Sequence, residues 1–202
     1  MSTQEEPPGE WQVLFDGTEE SLQTHWTGFR MGDIPGGWHV ENGTLALSSG
    51  AEHGGGHLMT KEQFGDFILE LDWKLSEGGN SGIFYLVTEE EPVPEYTGPE
   101  FQVVSGENAG ANFDMHAPSV NAARPAGEWN HVRIVLQDRH VEHWLNGEKV
   151  VEYELGSEKW KKLKAESKFA GRPYGRAERG HIVLQDHGDD VWYRDIKIQP
   201  LD

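Results

Sequence analysis

The chain has 202 residues, with 35 acidic against 17 basic side chains and a formal net charge of -18. That balance argues against nucleic acid as a partner, because phosphates call for a cationic surface. The lack of cysteine removes disulfides, thiolate metal sites and a cysteine nucleophile, and no run reaches the ~20 apolar residues of a membrane-spanning helix.

In chain order, residues 1–9 read as an acidic, disordered lead and 10–202 as one β domain. The opening MSTQEEPPGE has neither the basic nor the apolar segment of an export signal. The expected compartment is therefore the cytoplasm, or the periplasm or exterior if a leader was removed. Residues 11–15 (WQVLF) form a short strand and 22–26 a brief helical or irregular piece. Residues 38–47 (WHVENGTLAL) contain Asn42-Gly43, the strongest two-residue hairpin signal. A Gly/Ser-rich loop at 48–56 follows, flanked by His53 and His57 as candidate ligands, and leads into a short strand at 57–60.

Residues 64–75 read as a long strand. Phe67, Leu69, Leu71 and Trp73 fall on one face and Ile68, Glu70, Asp72 and Lys74 on the other, the period of a half-buried strand. The GGNSG turn at 78–82 carries Asn80 and enters a strand at 83–88. Residues 100–104 alternate again, with Glu100 and Gln102 opposite Phe101 and Val103. The loop at 106–127, containing Asp114, His116 and Arg124, exceeds the ~12–15 residues of an ordinary connection and points to function or disorder. A meander at 129–137, 141–145 and 148–155 follows, with His143 on its middle strand and Asn146-Gly147 as its second turn. Residues 159–165 form a helix, and 169–178 a basic loop. Residues 180–201 read as a closing hairpin around His187-Gly188-Asp189-Asp190. Its first strand sends Ile182 and Leu184 into the core and His181, Gln185 and His187 to the other face.

Roughly ten to twelve short strands with almost no helix predict an all-β fold, a β-sandwich or jelly roll. If the strands share a sheet, Asp72, Lys74, Glu100, Gln102, His143, His181, Gln185 and His187 make one polar patch on a curved surface. Carboxylate and imidazole suit a divalent cation, so Glu100 and His187 with water are a chemically reasonable metal pair. No HExxH, EF-hand, GxSxG or P-loop motif is present. Eight tryptophans supply the aromatic faces on which sugars stack, although most are expected in the core.

The blocks LFDGTEESLQTHW, DFILELDWKL with GGNSGIFY, GPEFQV, PAGEWNHVRI, HWLNG and GHIVLQDHGDDVWYRDIKI occur in this order. Together they resemble the 3-keto-disaccharide hydrolase-like domain family across nearly the whole chain. The resemblance implies a concanavalin A-like sandwich acting on glycosides already oxidised at C3 of the sugar. It carries over to Asn80, Glu100, Gln102, Gln185 and His187. The chain departs from the family pattern at Leu86, where arginine is frequent, at Ser105, where aspartate is frequent, and at Lys74, where arginine is common.

A ketone at C3 acidifies the C2 proton. Removing it lets the C1 substituent leave by elimination, and water can then add. Such a site needs a base poised near working pH and a donor or cation for the enolate oxygen. His187 is the expected base or metal ligand, Glu100 a second acid/base or ligand, and Lys74 or a cation the enolate stabiliser. Gln102, Gln185, Asn80 and His143 are the expected contacts to the sugar. The same fold also hosts lectins, so a carbohydrate-binding module without catalysis stands beside the hydrolase or lyase reading.

Overall fold

The computed structural model describes residues 9–48 and 55–201. Nearly all of the expected N-terminal lead, and His53, lie outside the described residues. The strands are β1 (Gln12–Phe15), β2 (Trp26–Gly28), β3 (Trp38–Glu41), β4 (Thr44–Leu47), β5 (Leu58–Thr60), β6 (Phe67–Leu75) and β7 (Asn80–Val87). They continue as β8 (Glu100–Val104), β9 (Asn130–Gln137), β10 (His140–Leu145), β11 (Glu148–Glu154), β12 (His181–Leu184) and β13 (Val191–Pro200). Two short helices, α1 (Glu19–His25) and α2 (Glu158–Glu166), are each capped at the N-terminus, by the side chains of Thr18 and Ser157. No helix among the described residues is long and apolar enough to cross a membrane.

The strands form two antiparallel sheets. The larger runs β11-β10-β9-β6-β13-β4-β3, with β1 also paired to β13, and the smaller runs β2-β5-β12-β7-β8. The core lies between them. Phe67, Leu69, Leu71, Trp73 and Leu75 of β6 meet Ile83, Tyr85, Phe101, Val103, Ile182 and Leu184 of the small sheet, all at most 1% exposed. Alternation produces this arrangement because successive side chains of a strand point to opposite faces.

Two turns follow the sequence directly. Asn42-Gly43 and Asn146-Gly147 join β3 to β4 and β10 to β11 with all four residues at positive φ, the left-handed conformation that asparagine and glycine tolerate. A third turn, Asp138-Arg139 between β9 and β10, adopts the same conformation without a glycine.

The chain's closing segment differs from the expected hairpin. β12 pairs with β5 and β7 in the small sheet, whereas β13 pairs with β1, β4 and β6 in the large one. The residues between them therefore arch from one sheet to the other. Turn-forming residues reverse the chain in either case and do not specify which sheet receives the next strand. Within β13, a bulge at Asp195 (φ +52) shifts the phase, so that Val191 and Tyr193, then Ile196 and Ile198, all face inward.

Candidate active site

The register of the small sheet determines what its outer face presents. Opposite one another on that face stand Met59, Val183, Phe84 and Glu100, one residue from each of four strands. The next row, on the same face, contains Gly82 opposite Gln102, with Gln185 held beside Gly82 by its backbone N–H to the Gly82 carbonyl at 2.9 Å. Continuing the β5–β12 register brings His57 alongside Gln185. Asn80 lies one row further along β7. The first row is mostly apolar: Met59, Val183 and Phe84 join Phe29 and Val87 in a separate buried cluster. Glu100 is its one charged member.

Gly82 leaves a notch in this face. A Cβ there would lie 2.3 Å from Glu100 Oε1 and 3.2 Å from Gln185 Oε1, so both side chains occupy the space that a larger residue would fill. Glu100 is 8% exposed. Its backbone N–H donates to Asn112 Oδ1 at 3.4 Å, whereas its carboxyl has no hydrogen-bond partner among the described residues. Burial pushes that carboxyl up to about 8; Lys168 pulls the other way and Glu95 adds to the rise. Two buried acceptors on this face, Asn80 Oδ1 and Gln185 Oε1, lack partners; the other buried polar side-chain atom without one among the described residues is the Trp73 indole nitrogen in the core. Buried polar groups are nearly always paired, so two unpaired ones on a single sheet face, beside a carboxyl that has no partner, are the mark of a surface built to receive polar groups from outside.

The arch between β12 and β13 carries the remaining side chains. The Asp186 N–H donates to His57 Nδ1 at 3.1 Å, which puts the proton of the neutral imidazole on Nε2. Burial lowers the His57 pKa, despite the pull of Glu95 and Asp186, and so favours this neutral form. Asp186 Oδ2 accepts from the Gly56 N–H at 2.9 Å and anchors the segment before β5. His187 is exposed; its Nε2 accepts from the Asn80 amide at 3.3 Å, and its Nδ1 lies 3.6 Å from Asp189 Oδ2. Asp189 also accepts from the Asn80 N–H at 3.0 Å, tying the arch to β7.

Glu100, Gln102, Gln185, Asn80 and His187 are thus brought to one face of one sheet. Lys74 and His143 are not. Lys74 belongs to β6 of the large sheet and points outward there, with Nζ 5.1 and 4.7 Å from the ring centroids of Trp129 and Trp192. The expectation of a shared patch fails because β6 and β8 lie in different sheets, so their polar rows face opposite sides of the sandwich. His143 is fully buried between the sheets. Its Nδ1 donates to the Gly110 carbonyl at 2.8 Å, and its Nε2 accepts from the Tyr85 hydroxyl at 2.8 Å. The same inner pocket holds Tyr153, also bonded to Tyr85, and burial brings the imidazole down to about 4. His143 is therefore a neutral core residue whose phase on β10 is inward. His181, placed by its alternation on the open face, is likewise buried, with Nδ1 donating to the Thr60 carbonyl at 2.7 Å.

As for a metal, the ligand-type side chains that gather in a group of three among the described residues are His140, Glu142 and Glu152, on β10 and β11. Lys149 Nζ sits 3.0 and 2.8 Å from those two carboxylates and supplies their positive charge. Glu100 and His187 belong to no such group.

Gly82, His57 and Asp186 are the members that sequence reasoning undervalued. Gly82 reads as the end of a turn but already lies in β7, and only its register opposite Gln102 reveals the notch. His57 reads as a loop histidine until Asp186 fixes its tautomer. Leu86, where the family pattern has arginine, is 1% exposed with φ +54 and is packed under Gly180, so it contributes to the interior rather than to this face.

A family model described as the 3-keto-alpha-glucoside-1,2-lyase-like domain matches residues 10–199. A 3-keto-disaccharide hydrolase of Bacteroides thetaiotaomicron is 33% identical, the match covering 94% of this chain and 78% of that protein. The crystal structure of a candidate glycosyl hydrolase from Parabacteroides distasonis is 33% identical with a TM-score of 0.84, covering 96% of this chain and 94% of the other. A carbohydrate binding module from Bacillus subtilis shares the fold alone, at 11% identity and a TM-score of 0.58, covering 87% of this chain and 96% of the module.

Proposed function

For a chain that belongs to the 3-keto-alpha-glucoside-1,2-lyase-like domain family, we propose cleavage of glycosides whose sugar carries a ketone at C3, with Glu100 as the base. The observation that carries this reading is the Glu100 carboxyl itself, buried, unpaired, set above the Gly82 notch and pushed up to about 8. A carboxylate of that basicity is matched to removing a proton made acidic by a neighbouring carbonyl.

In the first step Glu100 takes the proton from C2, and the C2–H electron pair forms the enolate with the C3 oxygen. The His57 Nε2–H is the neutral donor assigned to that oxygen, a role that needs no net charge in a partly buried site. Collapse of the enolate forms the C1–C2 double bond and breaks the bond from C1 to its oxygen substituent, which leaves with a proton. His187, exposed at the rim, is the group assigned to that proton. Addition of water across the new double bond gives net hydrolysis; release before addition gives net elimination. Asn80, Gln185 and Gln102 hold sugar hydroxyls, with the unpaired oxygens of Asn80 and Gln185 as acceptors. An ordinary glycosidase instead sets two carboxylates across the bond and needs no ketone.

The test is turnover of a 3-keto-glucoside and of its unoxidised parent by the wild-type protein across pH 5–10. The expected result is activity on the ketone alone, with kcat/KM rising through an inflection near the Glu100 value of about 8. Equal turnover of both sugars, or binding of glycans without turnover of either, would overturn the proposal, the second result in favour of a lectin.

A further inference from the structure

Two rows on the outer face of the large sheet are paired, Glu70 with Arg133 and Lys197, and Asp72 with His131 and Arg194. The row at the end of β6 is built differently. Lys74 stands across from Trp192 of β13, and Trp129, one residue ahead of β9, flanks it on the other side. The Lys74 ammonium lies 5.1 and 4.7 Å from the two ring centroids and forms no ion pair among the described residues. Lysines elsewhere on the sheet do find carboxylates, Lys197 at Glu70 and Lys149 at Glu142 and Glu152. In a chain with 35 acidic against 17 basic side chains, a cation without an acid reflects where the strands place it, not a shortage of acids. Arg124 repeats the pattern at the same corner. Its Nη1 donates to the Trp129 carbonyl at 2.8 Å, and it too has no carboxylate partner among the described residues.

Both indoles are half-buried and held in place by the protein itself. The Trp192 Nε1–H donates to Glu41 Oε2 at 3.2 Å, and the Arg194 guanidinium lies 4.1 Å from the Trp129 centroid. Against Lys74 and Trp192 lies a cavity of about 550 Å³, walled on its other sides by Ser76, Glu77 and residues 125–127. That volume falls in the range of small-ligand sites. The Gly127 N–H donates to the Leu75 carbonyl at 2.9 Å and holds the loop against the strand end. The Ser76 hydroxyl gives its proton to the Asp190 carbonyl at 3.3 Å, so its remaining capacity is as an acceptor, like that of Glu77.

An indole face, an ammonium without a counter-ion and two acceptors call for a ligand with an apolar ring face, one anionic group and hydroxyls. We propose that this cavity is a second binding site, on the opposite side of the sandwich from Gly82, for a hexuronic acid. The pyranose ring stacks on Trp192, its carboxylate meets Lys74, and its hydroxyls donate to Ser76 and Glu77. A neutral sugar leaves the ammonium without its counter-ion, and an anion lacking hydroxyls leaves both acceptors to water. The site binds without chemistry and is independent of the role assigned to Glu100.

The experiment is a heteronuclear NMR titration of the full chain with methyl glucuronide and with methyl glucoside, following the tryptophan indole signals. It is run on the wild type, Lys74→Met, Trp192→Ala and Glu100→Gln. Lys74 and Trp192 point away from the core, and methionine keeps most of the lysine stem without its charge. The expected result is millimolar binding of the glucuronide, at least about tenfold tighter than the glucoside, the scale of one charge-assisted hydrogen bond. Lys74→Met should bring the two ligands within about twofold of each other, and Trp192→Ala should weaken the glucuronide about tenfold, the scale of one lost aromatic contact. Glu100→Gln should change neither. A wild type whose Trp192 signal ignores the glucuronide, or that binds both sugars equally, overturns the site. So does a glucuronide preference that survives Lys74→Met. Glucuronide binding lost in Glu100→Gln and kept in Lys74→Met would belong to the small-sheet face and overturns it as well.

Discussion

The two outward faces of the sandwich carry polar rows of similar composition and opposite electrostatic condition. On the large sheet, Glu70 pairs with Arg133 at 2.6 Å and Lys197 at 3.0 Å, and Asp72 pairs with His131 at 2.8 Å and Arg194 at 3.0 Å. Burial would raise both carboxyls, but these partners more than offset it and hold them below their usual range. On the small sheet, Glu100 has no such partner and moves the opposite way. The large-sheet face satisfies itself, whereas the small-sheet face keeps acceptors open. This contrast distinguishes a solvated surface from a candidate reaction site better than residue type does.

The sharpest way to break the comparison is to neutralise one carboxyl on each face. Glu100→Gln is expected to lower kcat on a 3-keto-glycoside by about 10²–10⁴, the range for loss of a general base, whereas Asp72→Asn leaves kcat within twofold. Equal losses in steady-state assays would show that the two faces do not differ in function. Next in size is Gly82→Ala. Its methyl group must displace the Glu100 carboxyl from the notch, and a misplacement of that kind costs up to about 10²-fold in kcat. Circular dichroism should meanwhile report an intact sheet.

The faces also differ in the sign of their pH linkage. Glu100 is raised on folding, so its contribution to stability is complete below the ordinary carboxylate pKa of 4.5 and is lost as pH climbs toward about 8. Glu100→Gln should therefore gain in melting temperature relative to wild type between those limits. Asp72 is lowered on folding, so its contribution is present above 3.8 and lost as acid takes the pH below that value. Asp72→Asn should cost about 1 kcal/mol at pH 7, a few degrees in melting temperature, and the deficit should vanish in strong acid. Smallest of all is Lys74→Ala: with its ammonium among Trp129 and Trp192 on the far face, kcat/KM should move by less than twofold. A larger fall would return Lys74 to the reaction.

The sequence made the strands legible where the signal is local. The two Asn-Gly turns, the alternation of β6 and the outward phase of Glu100 and Gln102 require only neighbours in the chain. Lys74 was misplaced because membership of a sheet depends on partners far along the chain, and β6 pairs with β9 and β13 rather than with β8. His143 shares the buried phase of Val141 and Leu145 on β10 and was misplaced because histidine reads as a polar, outward residue; its partners Gly110 and Tyr85, distant in sequence, are what let it stay in the core. Gly82 was underrated because an absent side chain acquires meaning only when Glu100 and Gln185 arrive beside it.

The arch from β12 to β13 has a mechanical consequence. It is the hand-over point between the two layers, and Ser81 rivets it there, its hydroxyl donating to the Gln185 carbonyl at 2.7 Å and lying 2.8 Å from the Tyr193 hydroxyl. Sliding of one layer over the other would thus act on Gln185 and His187, which belong to the hand-over itself. The alignment of the rim with the base is in this sense a gauge of how the whole sandwich is seated, and loosening far from the notch would register there.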